Sequence, residues 1–505
     1  MLKNAIVFGV GISGEAAAGL LVRQGWDVTV VDGAVVDAVR CDLLRSLGVR
    51  VLTSVAELPA ENFDLCVVSP GIDQKSAWVL EMERREVEVI SELELGFRYC
   101  KCPVIAVTGT NGKSTLVKLL YDIFMDAGIS AAIAGNYGIP MCEVAERSAV
   151  LDWIVAEVSS FQLEKVSEFR PRVGVLLNIQ PDHLDRHGSM QAYRELKSRL
   201  FRCMGEGDTG IVHLDEMSAI REFVSSGNRW VSFGTMSRSL KLADRDEGIP
   251  APESDGGDGG DGRDRGAPTA EGLRRNFGDV YYDLNGTIAC GQVFGQDARA
   301  TERSDDGGDI LRVDIAGSEF DNPILGQAAA AAVAVMQACG VSLNVVSERI
   351  KSFDSLSHRM QSVGVFDGVL FVNDSKATNL AALKAGLEMS NAPVRLIAGG
   401  RLKEKNLNFV KEVLANKAVC VYVIGSAAND FKSCWQDVVV CVHCTDLKTA
   451  VRRAWKDAKC GDTVLLSPGC SSFDQFKSYN DRGEQFKEIV EKINEEKRDE
   501  NSVSG

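Results

Sequence analysis

The chain has 505 residues and a formal net charge of −15. That length suits about three domains at roughly 150 residues each, and the acidity argues against the basic footprint of a nucleic-acid binder. Hydrophobic residues make up 45% of the chain, ordinary for a globular protein, and no uncharged apolar run reaches the ~18 residues of a membrane span, so neither nucleic acid nor membrane is expected as a partner.

The opening stretch, MLKNAIVFGVGISG, reads as a strand entering a glycine loop, without an apolar leader core or small-residue cleavage site. No signal peptide is expected, and the 14 cysteines are expected to be reduced and buried, as in a cytoplasmic protein. NAIVFGV, DVTVVD, VRVL and LCVVS then alternate with helical patterns, and SGEAAAGLLVRQG forms a crossover helix ending at Gly25. The alternation predicts an α/β fold with a Rossmann-like parallel layer over residues 1–99. A second α/β run, 100–355, starts at CPVIAVTG and continues through DWIVAEV, RVGVLLN and TGIVHL, with helices near 114–127 and 189–203. A third, 356–492, has strands ending in VLFVNDS, VRLIAGG, VCVYVIG and DTVLLSPG.

Residues 253–266, ESDGGDGGDGRDRG, carry almost no apolar side chain. The surrounding 238–309 reads as a polar, partly flexible insertion rather than a calcium-binding glycine–aspartate repeat, and 493–505 as a frayed tail. Cys441 and Cys444 in CVHC have metal-ligand spacing, but no second pair follows, so they read as core thiols.

Two glycine loops carry the chemistry. Gly9-Val10-Gly11-Ile12-Ser13-Gly14 fits GxGxxG between a strand and a helix, with Asp32 ending the next strand where a ribose would lie. Alone it suggests a dinucleotide-dependent oxidoreductase; physically, a glycine turn at a helix start accepts any phosphate-bearing ligand. The second loop, TGTNGKST at 108–115, follows an apolar strand and opens a helix. Gly109, Thr110, Asn111 and Gly112 would offer backbone N–H groups to ATP phosphates, Lys113 would offset their charge, and Ser114 or Thr115 could reach Mg²⁺. The strict pattern wants glycine at 107, where Val107 stands; the strand is expected to run one step longer with the cradle intact. Glu157, at the end of DWIVAEV, is placed as a carboxylate for Mg²⁺.

TGTNGKST, with AGNYGIP, AEVSSFQLE, PDHLDRHGSMQAYRELKSRLF, LSHRMQ, NDSKATN and LLSPGCSSFDQFKSYNDRGEQF in that order, resembles the Mur ligase family, the ATP-dependent amide-forming enzymes of peptidoglycan precursor synthesis. The resemblance spans nearly the whole chain outside the insertion and tail. It implies three domains: an N-terminal Rossmann-like domain for a UDP-linked substrate, a central P-loop ATPase-like domain with a mainly parallel sheet, and a C-terminal Rossmann-like domain. NDSKATN and SPGCSSFDQFK point to the branch that joins D-glutamate to UDP-N-acetylmuramoyl-L-alanine through an acyl phosphate, giving ADP and phosphate. On that resemblance Gly11, Ile12, Ser13, Asp32, Gly33, Ser69 and Asn136 would meet the UDP-linked substrate. Two Mg²⁺ ions would involve Ser114, Glu157, His183 and Lys197, the lysine carbamylated; Lys113, His183 and Lys197 would be catalytic. Asn322, Arg359 and Asp374 would face ATP, and Lys376, Thr378, Lys403, Ser467 and Phe473 would line the D-glutamate pocket of a monomer.

The chain departs from the family pattern in three places. Asp321 and Leu325 stand where asparagines associated with adenine are usual, and Gln361 replaces the glutamate after HRM. Neither the phosphate loop nor the expected metal ligands are touched.

Overall fold

The structure, a computed structural model, describes residues 3–33, 38–53, 58–224, 227–235, 279–284, 286–291, 310–354, 356–403 and 406–503. It divides into two compact units. One runs to Ile179 and includes Gln191–Phe353; the other is Gln180–Met190 with the chain from Asp354 onward.

The first unit holds two sheets. In the N-terminal one, β1 (Asn4–Phe8), β2 (Asp27–Asp32), β3 (Arg50–Thr53), β4 (Leu65–Val68) and β5 (Glu88–Ser91) lie in the order β3-β2-β1-β4-β5, all parallel. Successive residues of β1 serve opposite cores: Ala5 and Val7 pack on one face, Ile6 and Phe8 on the other. A parallel sheet covered on both faces needs such continuous apolar strands.

The central sheet comprises β6 (Val104–Thr108), β7 (Ala131–Gly135), β8 (Trp153–Glu157), β9 (Val173–Leu176), β10 (Thr209–His213), β11 (Arg229–Thr235), β12 (Val280–Tyr282), β13 (Thr287–Gly291) and β14 (Ile310–Asp314), in the order β14-β13-β12-β11-β10-β9-β6-β8-β7. It is parallel from β7 to β12, and β13 and β14 are antiparallel. Its core is built with the helices Lys113–Asp126 and Leu325–Ala338. The second is a run of buried alanines, Ala328 to Ala332, whose small side chains let the helix lie close on the strands.

Here the expected insertion needs correcting. β12 and β13 fall inside 238–309, yet Val280, Tyr282, Ile288 and Cys290 are core residues. The strand-forming residues of VYYDLNGTIACG alternate and close a hairpin, so this piece packs. The stretch 253–266 lies outside the described residues.

The second unit holds β15 (Gln361–Phe366), β16 (Val369–Asn373), β17 (Val394–Gly399), β18 (Ala418–Ile424), β19 (Cys441–His443) and β20 (Thr463–Leu466), ordered β15-β16-β20-β17-β18-β19 with only the β15 edge antiparallel. Cys441 and Cys444 pack into cores on opposite faces of this sheet, which rules out joint metal ligation. Burial pushes both thiols up to about 11. The stretch 493–505 is also corrected: the helix Tyr479–Val503 runs through most of it, with Ile493 in the core and Glu496 paired to Arg452.

Candidate functional site

Both glycine loops sit at carboxyl ends of parallel strands, where open α/β sheets bind ligands. After β1, Gly9 takes a φ of +97°, and a Cβ on Gly14 would lie 1.9 Å from the Gly9 carbonyl oxygen, so the helix Ile12–Arg23 can start this close only with glycine there. Val10 N–H donates to the Asp32 carboxylate (2.9 Å), so Asp32 holds the loop. Ser69 follows β4 and donates its N–H to Phe8 O; Gly33 follows β2 beneath the Trp78 ring. With Gly11, Ile12 and Ser13, these expected UDP-substrate residues therefore gather at one sheet edge. Asn136 does not join them. It follows β7 of the central sheet, and its amide donates to Glu157 (2.7 Å).

The second loop lies between β6 and the helix Lys113–Asp126, and the N–H groups of Thr110 and Asn111, expected to face phosphate, turn to Asn178 instead. β6 runs through buried Val107 to Thr108, so valine there extends the strand and leaves the loop unaltered. Gly109 (φ +148°) and Gly112 (φ +84°, the residue before the helix) make the turn. The Asn178 side-chain oxygen accepts from the N–H of Thr110 (3.2 Å) and Asn111 (2.9 Å), fixing the loop to the end of β9. Lys113 Nζ donates to the carbonyls of Gly109 and Thr110 at 2.8 and 2.7 Å, which keeps its charge over the nest. Ser114 Oγ donates to Glu157 Oε2 at 2.5 Å, and Thr115 is buried beside it.

Lys197 is the largest surprise relative to an ordinary helical lysine. It is 1% exposed, donates to Gly109 O at 2.9 Å and lies 4.6 Å over the Tyr193 ring. Tyr193 OH is in turn 3.4 Å from Thr110 Oγ1. Tyr193 and Lys197, four apart on one helix face, thus both reach the phosphate loop; Tyr193 and Asn178 were not foreseen.

A bound Mg²⁺ keeps several waters and takes only one or two protein carboxylates or hydroxyls plus phosphate oxygens. The Ser114–Glu157 pair fits that donor set. Among the described residues, no group of three or more His, Cys, Asp or Glu could hold a metal. His183 lies in the second unit. Its φ is +53°, it starts the short helix Leu184–His187, and its N–H donates to Asp182 (3.0 Å). Asp182 is held by the Asn379 amide (3.1 Å).

In the same unit, Asp374 follows β16 and Ser467 follows β20, neighbouring strands. Ser467 Oγ donates to Asp374 Oδ2 at 2.8 Å, which joins an expected ATP residue to an expected D-glutamate residue in one pair. Burial pushes Asp374 up to about 7, against the lowering pull of the Ser467 bond, the Met360 N–H and the charges of Arg359 and Arg482. Lys376 lies 5.4 Å from the Tyr479 ring. Thr378 shares its loop, and Lys403 follows the Gly399-Gly400 bend after β17. Phe473 is 71% exposed. Arg482, unforeseen, is fully buried and donates to Ser375 Oγ, Ser375 O and Cys470 O; it ties the Asp374–Thr378 loop to the Ser467–Phe473 loop. Asn322, expected at adenine, spends its oxygen on the N–H groups of Ile324 and Leu325, and Asp321 accepts from Tyr282 OH (2.6 Å).

Profiles described as the Mur ligase MurD-like N-terminal domain, the Mur ligase middle domain and the Mur ligase glutamate ligase domain match residues 3–91, 107–249 and 358–470. The UDP-N-acetylmuramoylalanine–D-glutamate ligase of Pelotomaculum thermopropionicum is 35% identical, covering 97% of each chain. Its namesake from Pelodictyon phaeoclathratiforme is 33% identical over 97% of this chain and 98% of that one. Among solved structures, a pseudomurein peptide ligase type C from Methanothermus fervidus shares the fold at TM-score 0.54 and 19% identity, covering 97% of this chain and 100% of that one. The MurF ligase of Thermotoga maritima, solved with ADP, does so at 0.53 and 15%, covering 92% and 96%. With three domain profiles in order and full-length relatives above 30% identity, the chain belongs to the Mur ligase family.

Proposed function

We propose that this protein joins D-glutamate to UDP-N-acetylmuramoyl-L-alanine at the expense of ATP, in peptidoglycan precursor synthesis. The observation that carries the reading is the pairing of two glycine loops at strand ends of two sheets in one unit, one of them with Lys113, Ser114, Glu157 and buried Lys197 converging on it. One phosphate-binding loop would serve a nucleotide enzyme of many kinds. Two serve a reaction with two phosphate-bearing reactants, and a dinucleotide oxidoreductase would leave the second without a role.

The substrate carboxylate attacks the γ-phosphorus, ADP leaves, and an acyl phosphate forms. The amine of D-glutamate attacks the acyl carbon, inorganic phosphate departs, and the nitrogen loses a proton. Lys113 and the loop N–H groups other than those bonded to Asn178 stabilise charge on the transferring phosphoryl group. Ser114 and Glu157 would hold Mg²⁺, which would neutralise phosphate oxygens when bound; the family resemblance gives Lys197, as a carbamate, and His183, each in its own unit, metal-binding roles as well. Gly11, Ile12, Ser13, Asp32, Gly33 and Ser69 take the UDP moiety, with Asn136 on the side of Glu157. Arg359 and Asp374 contact ATP, and Lys376, Thr378 and Lys403 take the two carboxylates of D-glutamate by charge-assisted bonds. The proposal includes a monomeric enzyme in the cytoplasm.

The test is phosphate release with all three substrates and with each omitted, and mass spectrometry of the product. Release that needs no amino acid, or that runs equally with L-glutamate, would refute the assignment.

A further inference from the structure

The helix Glu92–Tyr99 joins the N-terminal sheet to the central one. Ser91 caps it, its hydroxyl accepting the Glu94 N–H (3.2 Å). The spacing Ser91…Glu94 is that of a capping box, in which the glutamate turns back on the cap. Glu94 instead reaches across to the turn leading into β9. It is fully buried, and its two oxygens accept from the N–H of Ser167 (3.1 Å), Glu168 (3.0 Å) and Phe169 (3.0 Å), from Ser167 Oγ (3.3 Å) and from Arg98 Nε (3.0 Å). Three consecutive backbone donors on one carboxylate make an anion nest, filled from a different sheet's linker. The opposite side of the helix is gripped too. A Cβ on Gly96 would lie 2.6–2.7 Å from the Met141–Cys142 backbone, and Cys142 N–H donates to Glu92 (2.7 Å).

β9 ends beside Asn178, whose side chain holds Thr110 and Asn111 of the phosphate loop. β5, at the other end of the linker, pairs with β4, which leads to Ser69. We infer that Glu94 is a positioning residue for the ligation: by locking the linker helix on the 167–169 turn, it sets the spacing between the UDP-side glycine loop and the phosphate loop. The inference rests on the ligase reading above. Misplacing bound reactants by about 1 Å can cost on the order of 100-fold in rate.

The experiment compares Glu94→Gln with the wild type in the full-length protein. Glutamine keeps the volume but puts an NH₂ in place of one oxygen, against either the Ser167 and Phe169 N–H groups on Oε2 or the Glu168 N–H on Oε1. UDP alone and ADP alone serve as half-site probes, titrated calorimetrically, and kcat is measured with all substrates. Unchanged affinity for both probes with kcat lowered roughly 100-fold supports positioning. An unchanged kcat, or a loss of kcat matched by equal losses of probe binding and folded protein, overturns it, the second result marking Glu94 as a folding residue. Glu94→Asp, which shortens the reach but keeps the charge, should fall between the two. A wild-type enzyme that does not ligate D-glutamate sinks the ligase reading and this inference with it, whereas an active wild type with an equally active Glu94→Gln sinks this inference alone.

Discussion

Asp374 gives the sharpest stability prediction. Burial pushes its carboxyl from 3.8 to about 7. In the unfolded chain it ionises near ~3.9, so between about 4 and about 7 the unfolded state releases a proton that the folded state keeps. The neutral carboxyl's contribution is therefore complete below about pH 4 and lost as pH rises to about 7. Above that the native state carries a constant penalty. A rise of that size, at about 1.36 kcal/mol per pH unit, sets its ceiling near 4 kcal/mol. The amide introduced by Asp374→Asn would not titrate, and it keeps an oxygen to accept from Ser467 Oγ or Met360 N–H, the partners Asp374 has now. Denaturant unfolding of wild type and Asp374→Asn should diverge: below about pH 4 the two should be close, the gap should open steadily from there to about pH 7, and near about pH 8 the variant should be more stable by up to about 4 kcal/mol. Glu92, also buried and pushed to about 7, is common to both proteins and cancels in the difference. Parallel pH profiles would show that the carboxylate is solvated or better paired than its burial implies, and would refute the reasoning.

Lys113→Ala should abolish phosphate release while circular dichroism stays that of the wild type, because the lysine's bonds to Gly109 and Thr110 hold its charge over the nest. Lys403→Ala should raise the Michaelis constant for D-glutamate and leave that for ATP nearly unchanged; losing one charge-assisted contact costs roughly 1.5–3 kcal/mol, about 10- to 150-fold. Ile288→Ala, at a fully buried position of β13, should destabilise the protein by about 2–5 kcal/mol in denaturant titrations; a change below about 0.5 kcal/mol would mean that β12 and β13 do not belong to the core.

What could be read from the sequence was what is local. The strands of the first sheet from NAIVFGV to LCVVS, the helix after TGTNGKST and the glycine turns all carry their signal within a short window. Where short or mixed strands depend on a neighbour, the pattern falls silent. β5 (EVIS) and β7 (AAIAG) are four and five residues long, and β12 and β13 were submerged in a polar stretch whose composition was averaged over the whole of 238–309. Side-chain roles follow the same division. Gly112 and Lys113 announce themselves by spacing. The burial of Lys197, the pairing of Ser467 with Asp374 and the reach of Arg482 across two loops join residues about 90 to 110 positions apart, and no local pattern encodes them. Asn322 shows the converse: a polar residue just ahead of a helix is as well explained by the N–H groups it caps as by a ligand.

The two glycine loops show why a shared motif does not fix a shared task. Both put a helix start at a strand end, and both have a carboxylate beside them. Asp32, at the end of β2, accepts the backbone N–H of Val10 in the glycine loop after β1, which fixes that loop's shape. Glu157 accepts from the side chains of Ser114 and Asn136, and a cation held between Glu157 and Ser114 would replace the first of these bonds. On the proposed function, the first arrangement would hold a ligand that stays intact, and the second would gather the charge that develops as a phosphoryl group moves. A reaction that must deliver the carboxylate of one bound molecule to the phosphate of another then depends on the distance between the two loops, and the buried Glu94 on its three backbone donors is the element of the chain built to keep that distance constant.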